Sequence, residues 1–421
     1  MTFFKSLTAK LRAKMPPVKL PQLHLTRLKP TKVNPGQLNP TRRRLLGGSL
    51  LAGGASLLAL AGSGSRAQAQ NHDNHQAGYA ADTPGTSPAA NPAGLDHSKM
   101  RLKHGAMTTV GEVDHARNGF HPVEMLTDWD RGVVSRLPDG RTLREFEVTA
   151  EEKEIEIAPG IFFPAWTYNG RVPGPTLRVT EGDLVRIRFI NNTSMPHTMH
   201  FHGIHSARMD GVPGAGEPMP GEEFTYEFEA KPFGCHLYHC HSFPLKRHMQ
   251  KGLYGAFIVD PDPEKQRDNP ENYAVARSRL LGTPENDHWQ EFIMVMNGFD
   301  TNFDEENEIY AVNSIAHAYS NDPIRVDKTR PIRVYLVNVT EFDPINSFHL
   351  HGNFFDYYDH GTTLSPTHRI IDTVMQCQAQ RGIVEISFAE HEDGHYMFHA
   401  HQAEFAELGW MSHFQVEGEG A

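Results

Sequence analysis

Four pairs of histidines, each pair split by one residue, fall into two similar halves of this chain, and that duplication constrains the fold more than any other feature. Val185 to Asn191 followed by His200-Phe201-His202-Gly203 returns as Ile332 to Asn338 followed by His349-Leu350-His351-Gly352. His239-Cys240-His241 returns as His399-Ala400-His401, and Gly252-Leu253 with Phe257 and Val259 returns as Gly409-Trp410 with Phe414 and Val416. The offset drifts from 147 to 160 residues along the chain, as changes of loop length in a duplicated unit produce. Between the motifs, stretches such as Leu184 to Ile190, Phe224 to Phe228 and Ile383 to Phe388 alternate apolar and polar residues between Gly, Pro and Asn turns. Period-two alternation at this spacing predicts antiparallel β-sandwiches. The expected fold is all-β: one sandwich over 143–262, a linker rich in Pro, Asp, Glu and Asn over 263–289, and a second sandwich over 290–417. Residues 101–142 read as an N-terminal extension.

Strand parity sorts the histidines. Residues two apart on a strand share a face, and residues an odd number apart do not. In His239-Cys240-His241 both imidazoles therefore project to one side and the thiol to the other, and the same rule separates His197 from His200 and His202. His197 and Cys240 can sit inside the first sandwich while His200, His202, His239 and His241 face outward. His349, His351, His399 and His401 hold the matching positions of the second copy. Imidazole suits copper, and two histidines with one cysteine and a weak axial partner is the blue-copper donor set. His197, Cys240 and His248 supply it. Met249 directly follows His248, and neighbours in a tight loop rarely point at one ion, so Leu253 is expected in the axial place, in contact without ligating.

These motifs resemble the two-domain multicopper oxidases, relatives of laccases and copper nitrite reductases, from about Leu143 to Val416. The resemblance implies two cupredoxin-like Greek-key sandwiches. It places the type 2 copper on His200 and His349, the type 3 pair on His202, His239, His241, His351, His399 and His401, and the type 1 copper on His197, Cys240 and His248. One cysteine site and eight cluster histidines imply about four coppers per chain. The resemblance also implies a homotrimer, with the three-copper cluster between the first domain of one subunit and the second domain of the next. The second domain departs from the pattern: Asn346 stands in the place of His197, Ala400 in that of Cys240 and Phe405 in that of His248. A single type 1 site per chain follows.

The expected activity is one-electron oxidation of a phenolic, aromatic or metal-ion reductant, coupled to four-electron reduction of O2 to water. Asp210, in Met209-Asp210-Gly211, matches the family's carboxylate near the type 2 copper and reads as a proton relay, with an Asp-Gly turn as the alternative. Glu404 is a second acid candidate, against a merely solvated glutamate. Asp372 also resembles a family position, without a role. His205 and His236 lie outside the ligand registers and suit hydrogen bonding behind the ligands. Cys235 and Cys377 leave a disulfide or two buried thiols open. Nitrite reductases are the nearest rival, but they carry an Asp where this chain has His200 and no histidine at the place of His241. A copper-binding or copper-tolerance protein is the rival of another class. It has no need of eight histidines, although Met195, Met199, Met209 and Met219 hint at cuprous ion, unless they merely fill the core.

The N-terminal part of the chain carries an address. Thr41-Arg42-Arg43-Arg44 precedes a Gly, Ala and Leu-rich run and Ala67-Gln68-Ala69, which reads over 1–69 as a twin-arginine export signal and predicts a periplasmic or secreted protein. The run is short and Gly-rich for a membrane anchor. Residues 70–100, with His72 and His75, read as a flexible tether. The first 69 residues hold 12 of the 40 Lys and Arg and none of the 51 Asp and Glu, so the remainder has a net charge of −23. Such a surface disfavours nucleic acid and tolerates cationic electron donors.

Overall fold

In the strand Leu184–Asn192 the alternation becomes burial: Val185, Ile187 and Phe189 point inward. Arg186 and Arg188 point out and pair with glutamates on both neighbouring strands. This computed structural model describes residues 109–418. The export signal, the tether, His72 and His75 lie outside the described residues. Leu184–Asn192 runs parallel to the long strand Thr142–Ala158 and antiparallel to Glu223–Glu229. The facing sheet orders Trp129–Asp130, Thr176–Thr180, Tyr254–Asp260, Gly234–His239 and His200–Phe201. Residues 290 to 417 form a six-stranded and a five-stranded sheet, giving the second of two cupredoxin-like sandwiches.

The facing sheet of the first sandwich breaks the alternation rule, because every residue of Gly234–His239 and Tyr254–Asp260 is buried. Parity still divides them. Leu253, Phe257 and Val259 enter the core of their own sandwich, whereas Tyr254, Ala256 and Ile258 join a core continuous with the second sandwich. A strand covered on both faces has no polar side to show.

A buried charge network ties the halves together. Arg178 bonds Asp260 at 3.0 Å and Glu291 of the second sandwich at 2.7 Å. Glu291 in turn meets Arg333 at 2.8 Å, and Arg333 meets Glu385 at 2.9 Å. Burial pushes the Glu291 carboxyl up, but Arg178 and Arg333 overrule it and hold it at about 2.

The expected extension over 101–142 is partly sandwich. Trp129–Asp130 pairs with Thr176 and Leu177, and Val133–Arg136 pairs with the long strand. Two- and four-residue strands leave no periodicity to read. The turns before them pack on the second sandwich, where the Ile293 amide donates to Leu126 O at 2.9 Å. The linker segment contains the helix Pro270–Arg279, capped by Asn269.

Candidate metal centres

His197, Cys240 and His248 converge from three segments. Their donor atoms lie close together: Nδ1 to Nδ1 is 3.1 Å, Cys240 Sγ to His248 Nδ1 is 3.1 Å and to His197 Nδ1 is 3.7 Å. All three residues are fully buried. Burial and the neighbouring His248 lower His197 to about 3, and burial with Arg247 lowers His248 to about 4, so both imidazoles stay neutral. Burial pushes the Cys240 thiol up. Shared protons cannot satisfy three converging donors, whereas one soft cation can take the thiolate and both imidazoles, releasing the thiol proton. The residues fit copper.

The strand Gly234–His239 ends one residue before Cys240, yet its ladder continues: the Cys240 amide donates to Leu253 O at 3.0 Å and the Leu253 amide to His248 O at 3.3 Å. Leu253 packs in the same apolar cluster as Cys240, and Met249 packs in the core shared with the second sandwich. Leu253 therefore lies on the Cys240 side of that loop and Met249 on the other.

Outward of this site, the His200 ring lies 5.2 to 5.3 Å from those of His202, His239 and His241. The His200 Nδ1–H donates to Asp210 O at 2.6 Å and the His239 Nδ1–H to Cys240 O at 2.9 Å, which leaves each Nε2 lone pair free. His202 Nε2 and His239 Nε2 face each other at 3.1 Å, a spacing that a proton or a metal ion must bridge. Burial, with His239 and Arg381, lowers His202 to about 2.

The second copy repeats the design. The rings of His351, His399 and His401 lie 4.9 to 5.4 Å from that of His349. His351 Nε2 and His399 Nε2 face each other at 2.9 Å. His399 Nδ1–H donates to Ala400 O at 2.5 Å and His349 Nδ1–H to Asp372 O at 3.0 Å. Asp372 thus does for His349 what Asp210 does for His200. The Asp210 carboxylate also lies 3.3 Å from His200 Nδ1. Glu404 is exposed at the start of the helix Ala403–Glu407, and its charge acts on Tyr310.

Asn346, Ala400 and Phe405 occupy a packed interior. The Ala400 amide donates to Trp410 O and the Trp410 amide to Phe405 O, the same ladder as in the first copy. Asn346 Nδ2 donates to Thr340 Oγ1, Phe405 stacks on Tyr310 at 3.9 Å, and the Trp410 indole N–H meets Met296 Sδ. The Ala400→Cys variant should therefore show no second blue band after copper loading. A second band would mean that the two ladders are not equivalent.

Thr198 and Ser347, which no sequence motif singles out, support the ligand strands. Thr198 Oγ1 accepts the His241 amide at 2.7 Å, and Ser347 Oγ accepts the His401 amide at 2.8 Å. Each follows the His197 or Asn346 position by one residue, so the repeat register held the signal. His205 and His236 bond the carbonyls of Phe201 and Pro232. Cys235 and Cys377 are free thiols, the first buried and the second exposed, which corrects the disulfide and the pair of buried thiols alike. Of the four methionines, Met199 and Met209 fill the core while Met195 and Met219 are exposed.

Two family profiles, both described as multicopper oxidase, match residues 149–264 and 288–420. A solved structure described as a multicopper oxidase is 51% identical, with a TM-score of 0.65 over 73% of this chain and 100% of its own. A blue copper oxidase from Nitrosomonas europaea is 27% identical, with a TM-score of 0.52 over 65% of this chain and 86% of its own. The copper-containing nitrite reductase of Neisseria meningitidis serogroup A is 30% identical over 209 residues, 49% of this chain and 52% of that protein. The chain thus spans about half the length of the nitrite reductases it matches. On these matches the chain belongs to the multicopper oxidase family, as a two-domain member related to the copper nitrite reductases.

Proposed function

We propose that this protein oxidises a reducing substrate one electron at a time and reduces O2 to water. The observation that carries this reading is the division of donors into one buried His2Cys site and two outward sets of four histidines. Bound copper would supply electron acceptance at His197, Cys240 and His248 and oxygen reduction at the outward histidines. The chain's residues do the rest: backbone carbonyls fix the ligand tautomers, Thr198 and Ser347 hold the His241 and His401 backbones, and the Asp210 carboxylate beside His200 passes protons inward. Asp210→Asn should lower turnover at least about tenfold with the blue band intact.

Each outward set makes its ring contacts within itself, and no ring contact or hydrogen bond joins the two sets among the described residues. A three-copper cluster therefore calls for the first set of one subunit against the second set of another. Exposed apolar residues follow the ligands on both: Phe243, 72% exposed, and Phe354, 55% exposed. Such a head-to-tail contact can close into a ring, and a homotrimer is the proposed assembly. Phe243→Asp with Phe354→Asp should yield a monomer that is still blue but holds about one copper instead of about four. Export by the twin-arginine route to the periplasm completes the reading.

Copper analysis with parallel assays of oxygen uptake and nitrite reduction tests it. About four coppers per chain and oxygen uptake are expected. Two coppers with nitrite reduction would replace the oxidase by the reductase.

A further inference from the structure

Neither imidazole of the His2Cys site reaches solvent: His197 and His248 are 0% exposed, and both Nε2 atoms are buried without a hydrogen-bond partner. A reductant on the surface cannot touch either ring. Trp166 packs on both: its indole meets His197 edge-on at 5.0 Å and His248 at 4.8 Å. The Trp166 amide donates to Lys251 O at 2.8 Å, which ties this residue to the chain just past the helix Leu245–Gln250 that carries His248. Trp166 is itself 8% exposed, so a conjugated ring in contact with both ligands reaches solvent.

Two cations lie beside that edge. Arg247 and Lys251 are each 5.7 Å from the centre of the indole ring, and Lys251 is also 5.1 Å from Phe303 of the second sandwich. Neither forms an ion pair within 4 Å among the described residues; Arg247 is exposed, whereas Lys251 is 6% exposed, and burial with Arg247 beside it lowers its ammonium to about 8, Glu152 opposing. The carboxylates of the nearby segment 300–308 keep their charge but are bonded to groups other than Arg247 and Lys251. Glu305 pairs with Lys246, the Asp300 carboxylate accepts the Asp304 and Glu305 amides, and that of Glu308 accepts from Thr301 and Asn302.

We propose that Trp166 is where electrons come in, and that Arg247 and Lys251 make this face selective for anionic organic reductants, phenolates above all, over metal cations. The proposal rests on the reading of His197, Cys240 and His248 as a copper site. With copper(II) held by those three residues as the one-electron oxidant, a phenolate would give up one electron across the indole and leave as a phenoxyl radical. A phenol that arrives neutral also gives its hydroxyl proton to solvent. Trp166 is unchanged at the end. The net charge of −23 over residues 70–421 and the carboxylates of 300–308 favour cations, but Arg247 and Lys251 lie within about 6 Å of the indole and act on a donor there more strongly than acids farther out, which salt screens.

The test is anaerobic reduction of the copper-loaded protein, followed by bleaching of the blue band, with ferrocyanide as the anionic probe and hexaammineruthenium(II) as the cationic one. Ferrocyanide should reduce the native protein at least about tenfold faster than its driving force predicts relative to the cation, with the bias shrinking as salt rises. Arg247→Glu, a surface change, should reverse the bias. Trp166→Leu should slow both probes about tenfold or more with the blue band retained. In the copper-free protein, diethylpyrocarbonate should leave His197 and His248 unmodified and should modify them in Trp166→Leu. Absence of bias in the native protein and in Arg247→Glu overturns the selectivity, and faster reduction of Trp166→Leu overturns the relay by showing the indole to be a shield. A native protein that never turns blue defeats the copper-site reading instead, and the histidine modification still reports on the packing of the indole.

Discussion

Cys240→Ser is expected to abolish the blue absorption, remove one copper per chain and slow oxidation of every reductant by about a thousandfold, roughly 4 kcal/mol of barrier. The hydroxyl is a hard donor where the site offers a soft one, and copper prefers sulfur in a His2Cys set. No second site can compensate, because the matching position is Ala400 within a packed interior. The fold should survive: the new hydroxyl sits beside the Thr198 amide and Oγ1, which lie 3.4 and 3.9 Å from Sγ in the native protein. Absorbance, copper analysis and turnover on one preparation decide the matter. Undiminished turnover would show that electrons bypass the thiolate.

The second large effect is structural. Arg178→Met leaves Asp260 and part of Glu291 buried without their cation, and losing one partner of a buried pair costs about 3–5 kcal/mol. For two sandwiches unfolding together this lowers the melting temperature by about 5–8 °C. The acid response should change with it. Glu291 sits at about 2 in the folded protein against 4.5 for a free glutamate, so the folded state binds fewer protons than the unfolded one between those values. Its stabilisation is complete above pH 4.5 and is lost as the pH falls toward 2. Asp260 is pushed up by burial, although Arg178 opposes the shift, and it acts in the opposite sense. Melting curves should thus show a shallower loss below pH 4.5 in Arg178→Met than in the native protein. Equal slopes would mean that Glu291 keeps its low value through Arg333 alone.

Much of the site was legible in the residues. Parity placed His197 and Cys240 inward and the paired histidines outward, since a strand offers only two directions. The repeat paired Leu253 with Trp410 and His248 with Phe405, and the same backbone ladders join them. Less was legible of what lies around the ligands. Asp372 acts through a backbone carbonyl, for which its side-chain identity carries no signal. Trp129–Asp130 is a strand only because Thr176 and Leu177 lie alongside it.

The residues by themselves determined an all-β duplicated chain with one His2Cys set and eight outward histidines, because alternation and spacing are local properties. Tertiary structure alone decided that the inner sheet is buried on both faces, that Arg178 and Glu291 meet across the halves, and that Trp166 packs on both imidazoles. Each of these joins segments that no period or motif connects, and only packing against a second layer brings them within reach.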